Sequence, residues 1–132
     1  MPGTYSDGMT LRITGLDHIV LVCGDVEVSL GFYCDELGLA PERVDEWRRG
    51  EVPFPSARIG PTTIIDLFGG TRDGRNLDHV CLTFEGATLD ELARRFPDGR
   101  LGTGLFGAQG YADSLYITDP DGNTVELRSY VR

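Results

Sequence analysis

The 132-residue chain carries 21 acidic against 12 basic residues, for a net charge of −9, with 40% apolar and 25% charged residues. That length fits one domain, or two small modules sharing one core. The acidic balance argues against a nucleic-acid partner, and no apolar run approaches the ~20 residues that span a bilayer.

Along the chain, the opening MPGTYSDGMT shows no basic segment followed by an apolar one, so no signal peptide is expected and the cytoplasm is the expected location. Residues 1–12 read as a flexible tail. A first strand is expected around LDHIVL, Leu16 to Leu21. DVEVSLGFYCDELG then places Val26, Leu30, Tyr33 and Leu37 at helical intervals, with Gly38 to end the helix. Three short alternating stretches, APERVDEW, SARIG and TTIIDLFGG, read as strands. Residues 71–76, within the Gly-rich and charged GGTRDGRN, read as a linker.

The same order then repeats. LDHVCL, Leu77 to Leu82, reads as a strand, and Leu89, Leu92, Ala93 and Phe96 form a helical stripe closed by Pro97-Asp98-Gly99. GRLGTGLFG, DSLYITD and NTVELRSY follow as strands, with Asp119 to Gly122 (DPDG) as a type I turn. Each half, residues 13–70 and 77–132, therefore reads as strand, helix, strand, strand, strand.

The repeat carries chemistry. The chain has two histidines, His18 and His79, each the third residue of an LDH copy. IIDL (Ile64 to Leu67) lies sixty residues before TVEL (Thr124 to Leu127), so each half ends on a carboxylate, Asp66 or Glu126. Side chains alternate across a strand. Ile19 and Leu21, Val80 and Leu82, Ile65 and Leu67, Leu115 and Ile117, and Val125 and Leu127 would then share an aliphatic face that packs on helices. Burying each contributes about 1.5–3 kcal/mol, offset mostly by chain entropy. The opposite face receives His18, Asp66, His79, Glu126, Tyr116 and Arg128. Two imidazoles and two carboxylates in paired positions suit a divalent metal of intermediate hardness, so Zn, Ni, Co, Mn or Fe(II) is the expected cofactor. Cys23, Cys34 and Cys81 have no metal-ligand spacing and read as buried thiols. GTGLFG (Gly102 to Gly107) matches a dinucleotide fingerprint, but no helix is expected to open there, so it reads instead as a mobile loop over the site. DPDGNTVE lacks the spacing of a calcium loop.

LDHIVLVCGDVEVSLGFYCDELGL, LDHVCL and SLYITDPDGNTVELRSY together resemble the vicinal oxygen chelate superfamily of glyoxalase, bleomycin-resistance and dioxygenase proteins, over about Ile13 to Tyr130. The resemblance implies an α+β fold in which two βαβββ modules form a curled mixed sheet around a central metal cup, with helices on the outer face. It implies metal ligands at His18, Asp66, His79 and Glu126, and a homodimer. Asp66 stands where the family commonly has Glu; being shorter, it would ligate directly, through water, or not at all.

The activity implied is that of a lyase or isomerase acting on a small substrate with vicinal oxygens through a metal-stabilised enolate, with Glu126 or Asp66 as base. An extradiol-type dioxygenase is the alternative, with Tyr116 ten residues before Glu126 as an active-site tyrosine, although no third histidine is present. A non-catalytic protein binding a cationic antibiotic of the bleomycin type is a further one, and the charge of −9 fits it. Arg128, Phe68, Trp47 and Phe54 are the candidate substrate-binding residues, the three aromatic ones having core packing as their alternative.

Overall fold

The computed structural model describes residues 3–4, 10–71, 74, 76–118 and 124–131. The DPDG turn, half of the expected linker and much of the expected tail lie outside the described residues.

The strands are β1 (Gly3–Thr4), β2 (Thr10–Cys23), β3 (Ala40–Glu42), β4 (Ser56–Gly60), β5 (Thr63–Gly69), β6 (Leu77–Glu85), β7 (Arg100–Gly107), β8 (Gly110–Thr118) and β9 (Thr124–Arg128). They form one mixed sheet in the order β3-β4-β5-β2-β6-β9-β8-β7, with β1 added antiparallel to the start of β2. In each half the first and last strands pair in parallel, β2 with β5 and β6 with β9. The halves join where the first strands meet, β2 antiparallel to β6. The four strands β5-β2-β6-β9 that carry Asp66, His18, His79 and Glu126 are therefore neighbours at the sheet's centre. The protein is a curled mixed sheet of two βαβββ modules.

Two cores lie on the aliphatic face, one per module. Cys23, Val26, Leu30, Ile65 and Leu67 form the first, with Ile19 and Leu21 against it. Phe84, Leu92, Leu115 and Leu127 form the second, with Leu82, Ile117 and Val125 against it. Nine of the ten residues assigned to that face thus pack in these clusters, Val80 being the exception.

Helix α1 (Val26–Leu30) starts at Asp25, whose side chain accepts the Val28 N–H at 3.3 Å. It continues as a π-helical turn, Gly31–Glu36, in which Leu37 N–H donates to Phe32 O at 3.0 Å. This wider turn shifts the phase of the stripe. Leu37 consequently faces solvent at 57% exposure, while Leu39 joins the core. Gly38, at φ 80°, ends the segment as its sequence suggests.

Two expected elements differ. APERVDEW is a strand only over Ala40–Glu42; Arg43 adopts the left-handed region at φ 59°, and Val44–Arg48 forms helix α2. That helix turns Trp47 onto the first core. GTGLFG is not a loop but part of β7, irregular in register between Gly102 and Leu105. Helix α3 (Leu89–Arg95) forms as its stripe suggests, opening with a capping box between Thr88 and Glu91.

Candidate active site

The first strands set the imidazoles. His18 is buried and His79 half-buried, with their Nε2 atoms 3.3 Å apart. Glu126 Oε1 lies 3.2 Å from His18 Nε2 and 3.0 Å from His79 Nε2. Each ring turns its other nitrogen to the aspartate before it in sequence, His18 Nδ1 to Asp17 Oδ2 at 2.6 Å and His79 Nδ1 to Asp78 Oδ2 at 2.7 Å. An ionised carboxylate only accepts, so both Nδ1 atoms carry the proton. Each Nε2 then donates to Glu126 when its ring is charged and presents a lone pair when its ring is neutral. With both rings neutral, three lone-pair donors converge on one point, a set that suits a cation in place of the Nε2 protons.

The spacing fits a metal ion. Ligand atoms bound at about 2.1 Å lie about 3.0 Å apart at right angles and about 3.4 Å apart in a tetrahedron. The three observed separations fall within that range. His18, His79 and Glu126 could therefore hold a divalent ion, and the set is a two-histidine, one-carboxylate triad that leaves positions open. Asp17, His18 and Cys81 also cluster. The 2.6 Å separation of Nδ1 from Asp17 is too short for two ligands of one ion, however, and is a hydrogen bond.

Asp66 stands beside this triad. Its Oδ2 is 3.9 Å from His18 Nε2, and its Oδ1 accepts from Ser56 Oγ at 2.6 Å. Glu126 is held more tightly. Its Oε2 accepts from Ser114 Oγ at 2.7 Å and Arg128 Nη2 at 2.8 Å, which aims Oε1 at the histidines. Arg128 is fully buried and also donates to Ser114 Oγ and Tyr130 Oη. Tyr130 in turn donates to Asp17 Oδ1 at 2.8 Å, so a closed chain of hydrogen bonds joins the His18 and Glu126 supports. A Cβ at Gly107 would overlap Arg128, Tyr130 and Asp17, so only glycine fits beside that chain.

Charges follow from these contacts. Burial disfavours the His18 imidazolium, but hydrogen bonds to Asp17, Cys81 and Glu126 outweigh it and push His18 up to about 12 in the ion-free protein. His79 is raised against burial by Glu126 and Asp78. Burial opposes ionisation of Glu126, yet His18, His79 and Arg128 hold it well below the usual carboxylate range. Burial raises Asp66, only partly countered by His18 and Ser56. Tyr116 is pushed upward by burial and then by Glu126, so its hydroxyl stays protonated.

A cavity of about 480 Å³ opens over the triad. Phe54 and Phe68, with ring centroids 6.1 Å apart, line it. Tyr116, 5.8 Å from the His79 ring, lines it too. Arg128 reaches it from below but is occupied by Glu126. Trp47 lies elsewhere, in the first core, because α2 carries it to the aliphatic face.

Sequence reasoning missed Asp17 and Asp78. Strict alternation put each on the face opposite its histidine. Both are the extra residue of a β-bulge: the β2–β6 register steps from Leu16 to His18 against Leu82 to Cys81, and from Val20 to Leu21 against His79 to Leu77. Bulges re-aim side chains at active sites. The signal was the aspartate in both LDH copies.

The model of the Glyoxalase/Bleomycin resistance protein/Dioxygenase superfamily matches residues 15–127. The chain belongs to this superfamily. It is 27% identical to the glyoxalase domain-containing protein RDO1 of Mycosarcoma maydis over 129 residues, covering 91% of this chain and 70% of that protein. Its fold is similar to methylmalonyl-CoA epimerase from Mycobacterium tuberculosis, with TM-score 0.55, 22% identity and coverage of 91% and 90% of the two chains. The Streptomyces coelicolor methylmalonyl-CoA epimerase in complex with 2-nitronate-propionyl-CoA is similar as well, with TM-score 0.57, 20% identity and coverage of 92% and 100%. At those identities the likeness is one of fold.

Proposed function

We propose that this protein is a metal-dependent enzyme of the isomerase or lyase type, acting on a small substrate with two adjacent oxygens. The observation that carries this is the convergence of His18 Nε2, His79 Nε2 and Glu126 Oε1 within 3.0–3.3 Å, with a further carboxylate, Asp66, alongside. A Zn, Ni, Co, Mn or Fe(II) ion held there would act as a Lewis acid on the substrate oxygens and favour loss of a neighbouring C–H proton.

The proton role passes to Asp66. Ser114 and Arg128 both tether Glu126, which suits a fixed ligand rather than a base that swings away. Asp66 has one oxygen on Ser56 and the other turned to the site, and burial raises its pKa toward that of a useful base. Tyr116 keeps a proton to donate. Phe54 and Phe68 supply an apolar wall for the body of the substrate.

The first test is metal analysis of purified protein, with about one divalent ion per chain expected. Ion-loaded protein is then incubated with 2-hydroxyketones and acyl thioesters in D₂O, and C–H exchange is followed by NMR. Exchange that disappears in Asp66→Asn supports the reading; protein that binds no divalent ion sinks it and favours the binding-protein alternative.

A dioxygenase of the extradiol type is the second reading. The open triad with Tyr116 beside His79 favours it, and oxygen uptake with catechols would establish it. The reading includes a homodimer, checked by light scattering, and a cytoplasmic location.

A further inference from the structure

Every carboxylate on the cavity wall has a donor. Arg49 pairs with Glu51, His79 with Asp78, Ser56 with Asp66, and Arg128 with Glu126. Three arginines away from the cavity also hold carboxylates: Arg12 pairs with Glu85, Arg48 with Glu27 and Arg58 with Glu42. Arg43 differs from these. It lines the cavity and, among the described residues, forms no ion pair; its charge acts on Asp66 only through space.

Its guanidinium is nevertheless held in place. Its Cζ sits 4.8 Å from the centroid of Phe54, from the first module, and 4.0 Å from that of Phe106, from the second. Nη2 donates to the Phe54 carbonyl at 3.1 Å. Nε is buried and has no hydrogen-bond partner. Leaving a charged N–H buried and unpaired is costly. Arg43 is also the one non-glycine with positive φ among the described residues, and such backbone outliers concentrate at ligand clamps. A planar cation held against two rings, pre-positioned and without an ion-paired carboxylate, is the arrangement that receives one.

We propose that Arg43 binds an anionic group of the substrate, most simply a carboxylate, set apart from the two oxygens that face the triad. The substrate class is then a small organic acid with a vicinal oxygen pair and an apolar body to lie along Phe54 and Phe68. This rests on the cavity being the substrate site of a metal-dependent enzyme.

The test uses two probes with the same vicinal oxygens, catechol and 3,4-dihydroxybenzoate, titrated anaerobically into Zn²⁺-loaded protein by calorimetry. A protein of net charge −9 disfavours the anionic probe in general, so a preference for it reports a local cation. The expected result is binding of 3,4-dihydroxybenzoate about tenfold tighter than catechol. Arg43→Gly should reduce that ratio to about twofold or less with Zn²⁺ affinity unchanged. Glycine accepts the left-handed backbone at this position, so loss of the fold is not expected to confuse the result. Arg43→Lys, which keeps charge without the planar fork, should retain part of the preference.

Equal binding of the probes by wild type, or a preference that survives in Arg43→Gly, overturns the proposal, and the wild-type ratio decides even where a variant does not fold. Wild-type protein that binds no Zn²⁺, or that binds Zn²⁺ but neither probe, overturns the underlying reading and the proposal with it. That outcome is distinct from equal binding by a loaded site.

Discussion

In the first module the last strand offers Asp66, paired across the sheet with Ser56; in the second it offers Glu126, paired with Tyr116. Two residues further along, Phe68 stands where Arg128 stands. The scaffold positions match, and the neighbours do not. Arg128 and Ser114 hold Glu126 Oε2 and deliver Oε1 to within 3.2 Å of both histidines. Asp66 is shorter, accepts a hydrogen bond from Ser56, and stays 3.9 Å from His18. The repeat decides where donors stand, whereas the unrepeated residues around each donor decide whether it becomes a ligand or stays free for a proton.

The sharpest way to break this comparison is to neutralise each acid. Glu126→Gln should abolish tight ion binding and leave the Arg128 guanidinium buried without a counter-charge, a loss of about 3–5 kcal/mol, read by calorimetry and urea unfolding. Asp66→Asn should change ion affinity by no more than about threefold, since affinity for a divalent ion rests on the triad's own donors, while removing proton exchange. Equal loss of ion affinity in both variants would make Asp66 a fourth ligand and restore the symmetry.

A smaller contrast separates the two aspartates. Asp17 is fully buried and takes bonds from His18, the Ala108 N–H and Tyr130; for Asp78 the bond is from His79 and the side chain is 44% exposed. Carboxylates that hold a ligating histidine typically contribute about 10–100-fold to ion affinity. Asp17→Asn should fall at the high end and Asp78→Asn at the low end. The reverse order in a competition assay would mean that the hydrogen-bond chain through Tyr130 does not matter to the site.

The histidines differ in the same sense, and pH exposes it. In the ion-free protein His18 is raised from 6.5 to about 12, against burial, by Asp17 and its neighbours. A raised histidine stabilises the fold fully below about pH 6.5 and loses that contribution as pH climbs toward the folded value. Asp17 and Glu126 are lowered despite burial, so their contribution is present above about pH 4.5 and is lost as pH falls. Ion-free stability should therefore peak in mildly acid solution and decline above it. Ion binding needs neutral rings, so Zn²⁺ should raise Tm more at pH 8 than at pH 6. His18→Ala should flatten the alkaline decline more than His79→Ala.

Much of this was legible in the sequence because it was written twice. The paired LDH copies, the two carboxylates and the period-2 alternation placed four side chains on one face of four strands; that these strands are neighbours came from the sheet topology. What escaped depended on local departures from regular geometry. Asp17 and Asp78 cross to the histidine face through bulges that alternation cannot register. The π-helical turn throws Leu37 out of its stripe, and the left-handed Arg43 converts an expected strand into the helix that carries Trp47 to the core. The role of Arg43 in the cavity comes from what is missing around it, and a missing counter-ion has no sequence pattern.

The helices give the smallest contrast and a test of module independence. Thr88 accepts the Glu91 N–H at 3.1 Å while Glu91 returns a bond from the Thr88 N–H at 2.9 Å, two end groups satisfied reciprocally. Asp25 satisfies Val28 alone, at 3.3 Å. Replacing an N-cap by alanine costs about 0.5–2 kcal/mol, so Thr88→Ala should cost about 1 kcal/mol and Asp25→Ala about half that. The caps sit on separate cores, yet the cores share one sheet through β2 and β6. If that seam makes the modules one cooperative unit, both variants lower a single urea midpoint and the double variant is additive. Two resolved transitions, with Thr88→Ala moving only one, would instead mean that each half unfolds by itself and that the triad across the seam is assembled from separately stable parts.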